Sequence, residues 1–253
     1  MMDQETIDKL QAMRLRTMAD VFRELIDKPA DELTFAEKVG MMVDREWIER
    51  DNRRSGRRIK EAKLVTSGAI EDVVTDAQRG IEKATLRSLA TCGWIRAKQN
   101  IIVLGPTGVG KSFLACALAH VACRQGYRSL YVRVPRLAHQ LSVARADGSY
   151  TTELSRLSRF DVLVLDDFLI APMKDTERRD LLEVLEDRYG HSSTIITSQV
   201  PTKTWHEMLA DPTIADAICD RLVHNAHVLT LRGQSMRRKK GLDSKEGTDI
   251  PTH

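Results

Sequence analysis

Residues 105–112 read Gly-Pro-Thr-Gly-Val-Gly-Lys-Ser, directly after the apolar run Ile101-Ile102-Val103-Leu104 and before Phe113-Leu114-Ala115-Cys116-Ala117-Leu118-Ala119. This is G-x-x-x-x-G-K-[ST] set between a strand-like and a helix-like segment, where a loop must leave a buried strand and enter a helix N-terminus. Gly105, Pro106, Thr107, Gly108, Val109, Gly110, Lys111, Ser112 and Phe113 are the expected phosphate cradle. Backbone N–H groups would close around phosphate oxygens, and the helix dipole adds positive potential there. Lys111 would reach the β- and γ-phosphates, and the Ser112 hydroxyl would hold Mg²⁺. The expected cofactors are therefore ATP and Mg²⁺.

Working outward, apolar runs alternate with helical patterns from about residue 70. The expected strands are Asn100–Leu104, Ser129–Val134, Asp161–Asp166, Thr194–Ser198 and His227–Leu231, with helices over Ser112–Arg124, Arg136–Arg145 and Thr176–Tyr189. Strands that are apolar nearly throughout are covered on both faces, which argues for a parallel, doubly wound α/β sheet of five strands flanked by helices. Before it, Ile7, Leu10, Met13, Met18, Val21, Phe22 and Leu25 recur at helical spacing up to Pro29. Thr34-Phe35-Ala36-Glu37 has the spacing of a capping box. The expected organisation is a small all-helical domain over 1–69, an α/β domain over 70–240 and a disordered polar tail over 241–253.

Phe160-Asp161-Val162-Leu163-Val164-Leu165-Asp166-Asp167 is an apolar strand ending in two carboxylates. A carboxylate on a neighbouring strand end usually completes the magnesium shell that a phosphate loop begins. Asp166 is expected to hold the ion directly or through water, and Asp167 to orient and deprotonate the attacking water. Ile195-Ile196-Thr197-Ser198-Gln199 ends a further strand, where Ser198 or Gln199 would bond the γ-phosphate or the lytic water, unless they are simple strand-end polarity. Asp220-Arg221-Leu222 offers an arginine for a neighbouring subunit's γ-phosphate, or a surface salt bridge.

The net charge of +3 conceals an asymmetry: seven basic and two acidic residues lie between Arg50 and Lys63, and Arg237-Arg238-Lys239-Lys240 is wholly basic. Concentrated positive charge points to an anionic polymer. Arg50, Arg53, Arg54, Arg57 and Arg58 fall at i, i+3, i+4, i+7 and i+8, one face of a helix with nothing apolar on it. The stripe is expected to lack acidic partners at i±4 and to relieve its repulsion on DNA phosphates. Aromatics make up 5% of the chain and none interleaves the stripe, which favours non-specific duplex contact over base stacking.

Taken in order, Gly-Pro-Thr-Gly-Val-Gly-Lys-Ser, Leu-Val-Leu-Asp-Asp-Phe, Ile-Thr-Ser-Gln, Asp-Arg-Leu-Val-His and Leu-Arg-Gly-Gln-Ser-Met-Arg resemble the AAA+ ATPases of the IstB/DnaC type, and the IstB transposition helpers more than the helicase loaders. The resemblance extends to about residue 240. It implies an AAA+ P-loop fold, with Gly105, Gly110, Lys111 and Ser112 as Walker A and Asp166 and Asp167 as Walker B. Asp167 stands where many AAA+ proteins have Glu. Ser198 and Gln199 match the sensor I region, Arg221 an arginine finger and Arg237 the sensor II arginine. Leu169 replaces a glycine frequent after Asp-Asp-Phe. The segment around residues 70–80 is implied to hold the adenine.

No apolar stretch approaches the roughly 20 residues of a membrane span, and the N-terminus does not read as a signal peptide. Cys92, Cys116, Cys123 and Cys219 form no C-x-x-C pair, so buried thiols in a cytoplasmic protein are expected rather than disulfides or a metal site. The resulting expectation is an ATPase, its turnover stimulated by DNA. It would oligomerise on double-stranded DNA with ATP bound and assist the transposase of the same element in choosing its target. A helicase loader, a monomeric P-loop kinase and an inactive DNA-binding scaffold are the alternatives.

Overall fold

Five parallel strands carry the apolar runs: β1 (Asn100–Leu104), β2 (Ser129–Arg133), β3 (Val162–Phe168), β4 (Ser193–Ser198) and β5 (Ala226–Thr230). Their spatial order is β2-β3-β4-β1-β5, so β3, β4 and β1 are the central strands. Every residue of β1 and β4 is buried, whereas the edge strand β5 buries only Leu229. That contrast follows from burial on two faces against one. The register sets Leu104 beside Ser198 and Arg133 beside Asp166, so the strand C-termini form one edge.

The computed structural model describes residues 2–28, 32–66, 68–75 and 77–236. Arg237, the basic run that follows it and the polar tail lie outside the described residues, as does Pro29.

One sheet face is covered by α6 (Lys111–Arg124), which buries ten of its fourteen residues. Its alanines and cysteines (Ala115, Cys116, Ala117, Ala119, Ala122 and Cys123) are small enough for the helix to pack closely in the interior. A helix apolar nearly all round belongs in an interior. On the other face pack α7 (Val134–Asp147), α8 (Tyr150–Ser158), α9 (Asp175–Glu186), α10 (Trp205–Leu209) and α11 (Pro212–Val223), around Phe168 and Trp205, whose rings meet edge to face at 4.6 Å. Two short helices, α4 (Lys83–Ala90) and α5 (Gly93–Arg96), lead into β1.

The chain divides after Arg57: residues up to Arg57 form one unit and those from Arg58 another, earlier than the boundary expected at residue 69. The reason is visible in the second unit, where the Ala62 carbonyl accepts the Tyr131 N–H at 2.8 Å and the Arg58 guanidinium bonds the Cys123 carbonyl at 3.4 Å.

The first unit contains α1 (Met2–Ala12), α2 (Arg16–Asp27) and most of α3 (Phe35–Glu61). The continuous helical pattern up to Leu25 is broken into α1 and α2, with Arg14 in the left-handed region at φ 61°. The break lets Ile7 and Leu10 meet Ala19 and Val21 in one small core with Met42. The capping box opens α3 as the spacing requires: Thr34 N–H donates to Glu37 at 2.8 Å and Glu37 N–H to Thr34 Oγ1 at 3.3 Å. Helix α3 runs on through Ser55-Gly56.

Candidate nucleotide site

The loop between β1 and α6 closes on itself because its glycines adopt backbone that other residues resist. At Gly105 φ is 145°, and a Cβ there would lie 2.5 Å from the Leu231 carbonyl oxygen. At Gly108 φ is 80°, and a Cβ would meet Ser235 Oγ at 2.2 Å. The Met236 N–H donates to the Gly108 carbonyl at 2.9 Å, so the segment after β5 lies against the loop. These approaches are possible only without side chains.

Beside the loop opens a cavity of about 760 Å³, a size suited to a nucleotide. Its lining includes apolar Val73, Val74, Ile81 and Leu231 and polar Lys111, Asp166, Asp167 and Gln199. The 70–80 segment expected beside an adenine thus reaches the cavity. Lys111 is buried at the start of α6, with Nζ donating to the Pro106 carbonyl at 2.9 Å.

Asp166 is 3% exposed and accepts hydrogen bonds from three hydroxyls. Ser112 Oγ donates to Oδ1 at 2.9 Å, Thr197 Oγ1 donates to the same oxygen, and Tyr131 OH donates to Oδ2 at 2.5 Å. Burial, and then the bond to Asp166, push the Tyr131 phenol far above its ordinary range, so it stays a donor. A buried carboxylate held by neutral hydroxyls still bears a large desolvation cost. A hard divalent cation would offset it, and Ser112 Oγ with Asp166 Oδ1 are the oxygen donors such an ion takes. The residues present fit Mg²⁺.

Asp167 sits on a bulge. From Leu165 opposite Ile196 to Phe168 opposite Ser198, β3 spends one residue more than β4, and Asp167 has φ 60°. Bulges re-aim side chains, and this one turns consecutive carboxylates toward one cavity. Asp167 N–H donates to Thr197 Oγ1 at 3.2 Å, and its Oδ2 accepts from Arg133 Nε at 2.7 Å. That bond is the main cause of a raised Arg133 pKa.

Of the two polar residues expected at the end of β4, Gln199 reaches the site and accepts from Thr107 Oγ1 at 2.6 Å. Ser198 is fully buried, donates to the Phe168 carbonyl at 2.8 Å and accepts from Val200 N–H at 3.1 Å. The β4 hydroxyl that meets the Asp166 carboxylate is that of Thr197. Arg79 is a further loop neighbour, donating to the Val109 carbonyl at 2.8 Å. Tyr131 and Arg133 carried no motif, and Thr197 stood in one without being singled out; their signal is the strand register, which exists only once the sheet is built.

Arg221 does not line its own chain's nucleotide cavity. It pairs with Glu186, donates to the Ala217 carbonyl at 2.8 Å and lies 5.9 Å from the Tyr189 ring centre.

The arginine stripe needs a correction. Acidic partners do lie four residues away: Arg50 pairs with Glu46 at 2.7 Å and Arg53 with Glu49 at 3.1 Å. Arg50 also donates to the Arg14 carbonyl at 2.9 Å and Arg53 to Thr17 Oγ1 at 3.2 Å. Both are thus fastened within the first unit, and Arg53 is exposed, as are Arg54 and Arg57. No helix among the described residues is long and apolar enough to cross a membrane, and all four cysteines are free thiols.

The family description "IstB-like ATP binding protein" matches residues 8–244. An insertion sequence ATP-binding protein of Sinorhizobium fredii is 47% identical over 95% of this chain and 98% of its own length. The insertion sequence IS1162 ATP-binding protein of Pseudomonas fluorescens is 45% identical over 81% and 89%. Among solved structures, AMPPCP-bound DnaA from Aquifex aeolicus superposes with a TM-score of 0.57 at 15% identity, covering 76% of this chain and 58% of that one. That likeness concerns the fold, and together with the loop, the paired carboxylates and the parallel sheet these findings have one outcome: the chain belongs to the IstB-like ATP-binding protein family and is an AAA+ ATPase.

Proposed function

We propose that this ATPase is the helper of an insertion-sequence transposase. On this reading it assembles on double-stranded DNA with ATP bound, assists target selection and is released by hydrolysis. The observation that carries the reading is a division of parts. Lys111, Ser112, Asp166 and Asp167 converge on one cavity, while Arg221 lies outside it. A site that needs Arg221 must borrow it from a second copy, which ties turnover to assembly. The names of the relatives supply the link to insertion sequences.

Ser112 and Asp166 would hold Mg²⁺, which when bound neutralises charge on the β- and γ-phosphate oxygens. Lys111 would exchange the Pro106 carbonyl for phosphate oxygens. Asp167 would take the proton of the attacking water once Arg133 lets go of it, and Gln199 would help orient that water. Arg237 is assigned the sensor II role by resemblance. Arg50, Arg53, Arg54, Arg57 and Arg58 would contact DNA phosphates.

The test measures particle mass and ATP hydrolysis with and without duplex DNA, and capture of transposase against capture of replicative helicase. Assembly that needs both ATP and DNA, with transposase retained, is the expected result. A monomer whose turnover ignores DNA overturns the reading.

A further inference from the structure

The Arg221 guanidinium is already engaged by its own chain. Nη2 pairs with Glu186 Oε1, Nη1 donates to the Ala217 carbonyl at 2.8 Å, and the group lies 5.9 Å from the centre of the Tyr189 ring. Ala217 stands one turn earlier on α11, so the side chain folds back along its own helix. Glu186 is the last residue of α9, where the helix end adds negative potential to its carboxylate. The Arg221 Nε is buried and has no hydrogen-bond partner among the described residues. The guanidinium is therefore held at two nitrogens and unsatisfied at the third.

We propose that Glu186 is a positioning residue that acts through Arg221: it withholds the arginine from the neighbouring subunit's nucleotide until that neighbour is in place. The proposal rests on the reading that Arg221 acts on a second copy's nucleotide. An arginine serves a γ-phosphate through its positive charge. Paired with Glu186, the guanidinium brings a neighbouring phosphate no net charge, and a phosphate sharing it would stand beside a carboxylate. Opening the pair restores the charge. The Glu186 side chain is 46% exposed and that of Arg221 22%, so solvent screens the pair and a multiply charged phosphate can displace the carboxylate. The Nε, once drawn out, gains the partner that it lacks in the folded-back pose. A lone subunit thus keeps its arginine occupied, and the pair opens only where a neighbour presents a nucleotide.

The experiment measures ATP hydrolysis by full-length protein at saturating ATP, with duplex DNA, over a range of protein concentrations. It reads the plateau turnover and the protein concentration at half of that plateau. Glu186→Gln keeps the shape and loses the charge. It is expected to lower the half-point about two- to fivefold, the strength of a partly exposed ion pair, and to leave the plateau unchanged. Misfolded material lowers the plateau and cannot lower the half-point, so a loss of folded protein does not mimic this result. A fall in plateau turnover would make Glu186 an aid in aiming Arg221, and an unchanged half-point would make the pair inert; either overturns the proposal. Particle mass of Arg221→Ala with and without Glu186→Gln is the control. An equal shift in assembly there would place the effect of Glu186 on the interface itself and overturn the proposal as well. An Arg221→Ala protein that hydrolyses ATP as the wild type does would remove the reading beneath it, a failure seen before Glu186 is changed.

Discussion

Arg133 Nε donates to Asp167 Oδ2 at 2.7 Å, so the carboxylate proposed as general base is already engaged by a cation. The Arg133 side chain is 57% exposed and that of Asp167 19%, so the pair sits at the cavity mouth, where a phosphate could draw the guanidinium away. Since the bond raises the Arg133 pKa, alkaline pH in the working range does not break it; an anion must compete for it. Arg133→Ala should raise DNA-free turnover severalfold, measured as kcat by phosphate release. A fall of about tenfold, roughly 1.4 kcal/mol of barrier, would place Arg133 on the substrate instead.

Leu169 explains itself in the fold. It has φ 54°, the conformation a glycine accepts freely, and it is 2% exposed in the core around Phe168 and Trp205. The left-handed backbone costs about 1–2 kcal/mol, and burying the leucine offsets it by about 1.5–3 kcal/mol. Leu169→Gly loses packing but sheds strain, whereas Leu169→Ala loses packing and keeps it. Stability by urea melts should therefore rank wild type above Gly and Gly above Ala, by about 0.5–1 kcal/mol at the last step. Ala above Gly would contradict the strain.

How far the sequence was readable follows from what each signal depends on. The phosphate loop, the paired carboxylates and five strands within a residue or two were legible because they are local patterns of apolarity and glycine. Thr197 and Ser198 are both hydroxyls on one strand, and only the neighbours on β3 decide which one meets Asp166. Tyr131 reads as an ordinary core aromatic until β2 is placed beside β3. The break at Arg14 has no glycine or proline to announce it. The pairing of Arg50 with Glu46 was legible, since the glutamate stands four residues earlier.

That pairing gives Arg50 a structural role within the first unit. Arg50 serves Glu46, which is 4% exposed and also accepts the Met18 N–H at 3.1 Å. Burial pushes the Glu46 pKa up, but the bonds from Arg50 and the backbone more than offset it, and the net shift is downward from 4.5. Its stabilising contribution is therefore full above that value and lost as pH falls through the lower, folded value. Arg50→Ala should destabilise the first unit by about 1–2 kcal/mol at pH 7, because it leaves the buried Glu46 carboxylate short of its cation, although the exposed side of Arg50 is partly screened. Arg54→Ala with Arg57→Ala should lower the salt slope of DNA binding by about 1.8. An unchanged slope would sink the DNA role of this helix.

Arg221 makes the sharpest claim about assembly. It is 22% exposed, paired with Glu186, and absent from the residues that line the cavity beside its own phosphate loop. If it acts on a neighbour's nucleotide, Arg221→Ala should lose about 10³-fold in turnover while binding ATP nearly as well as the wild type. Lys111→Ala should fail for the opposite reason, keeping its arginine but losing its own phosphate contacts. Mixed one to one, the two inactive proteins form some interfaces that combine the intact loop of the first with the intact arginine of the second. Random head-to-tail mixing makes these about a quarter of the total, so about a quarter of wild-type turnover should return. A mixture that stays inactive while still assembling would show that Arg221 and Lys111 do not meet across the interface.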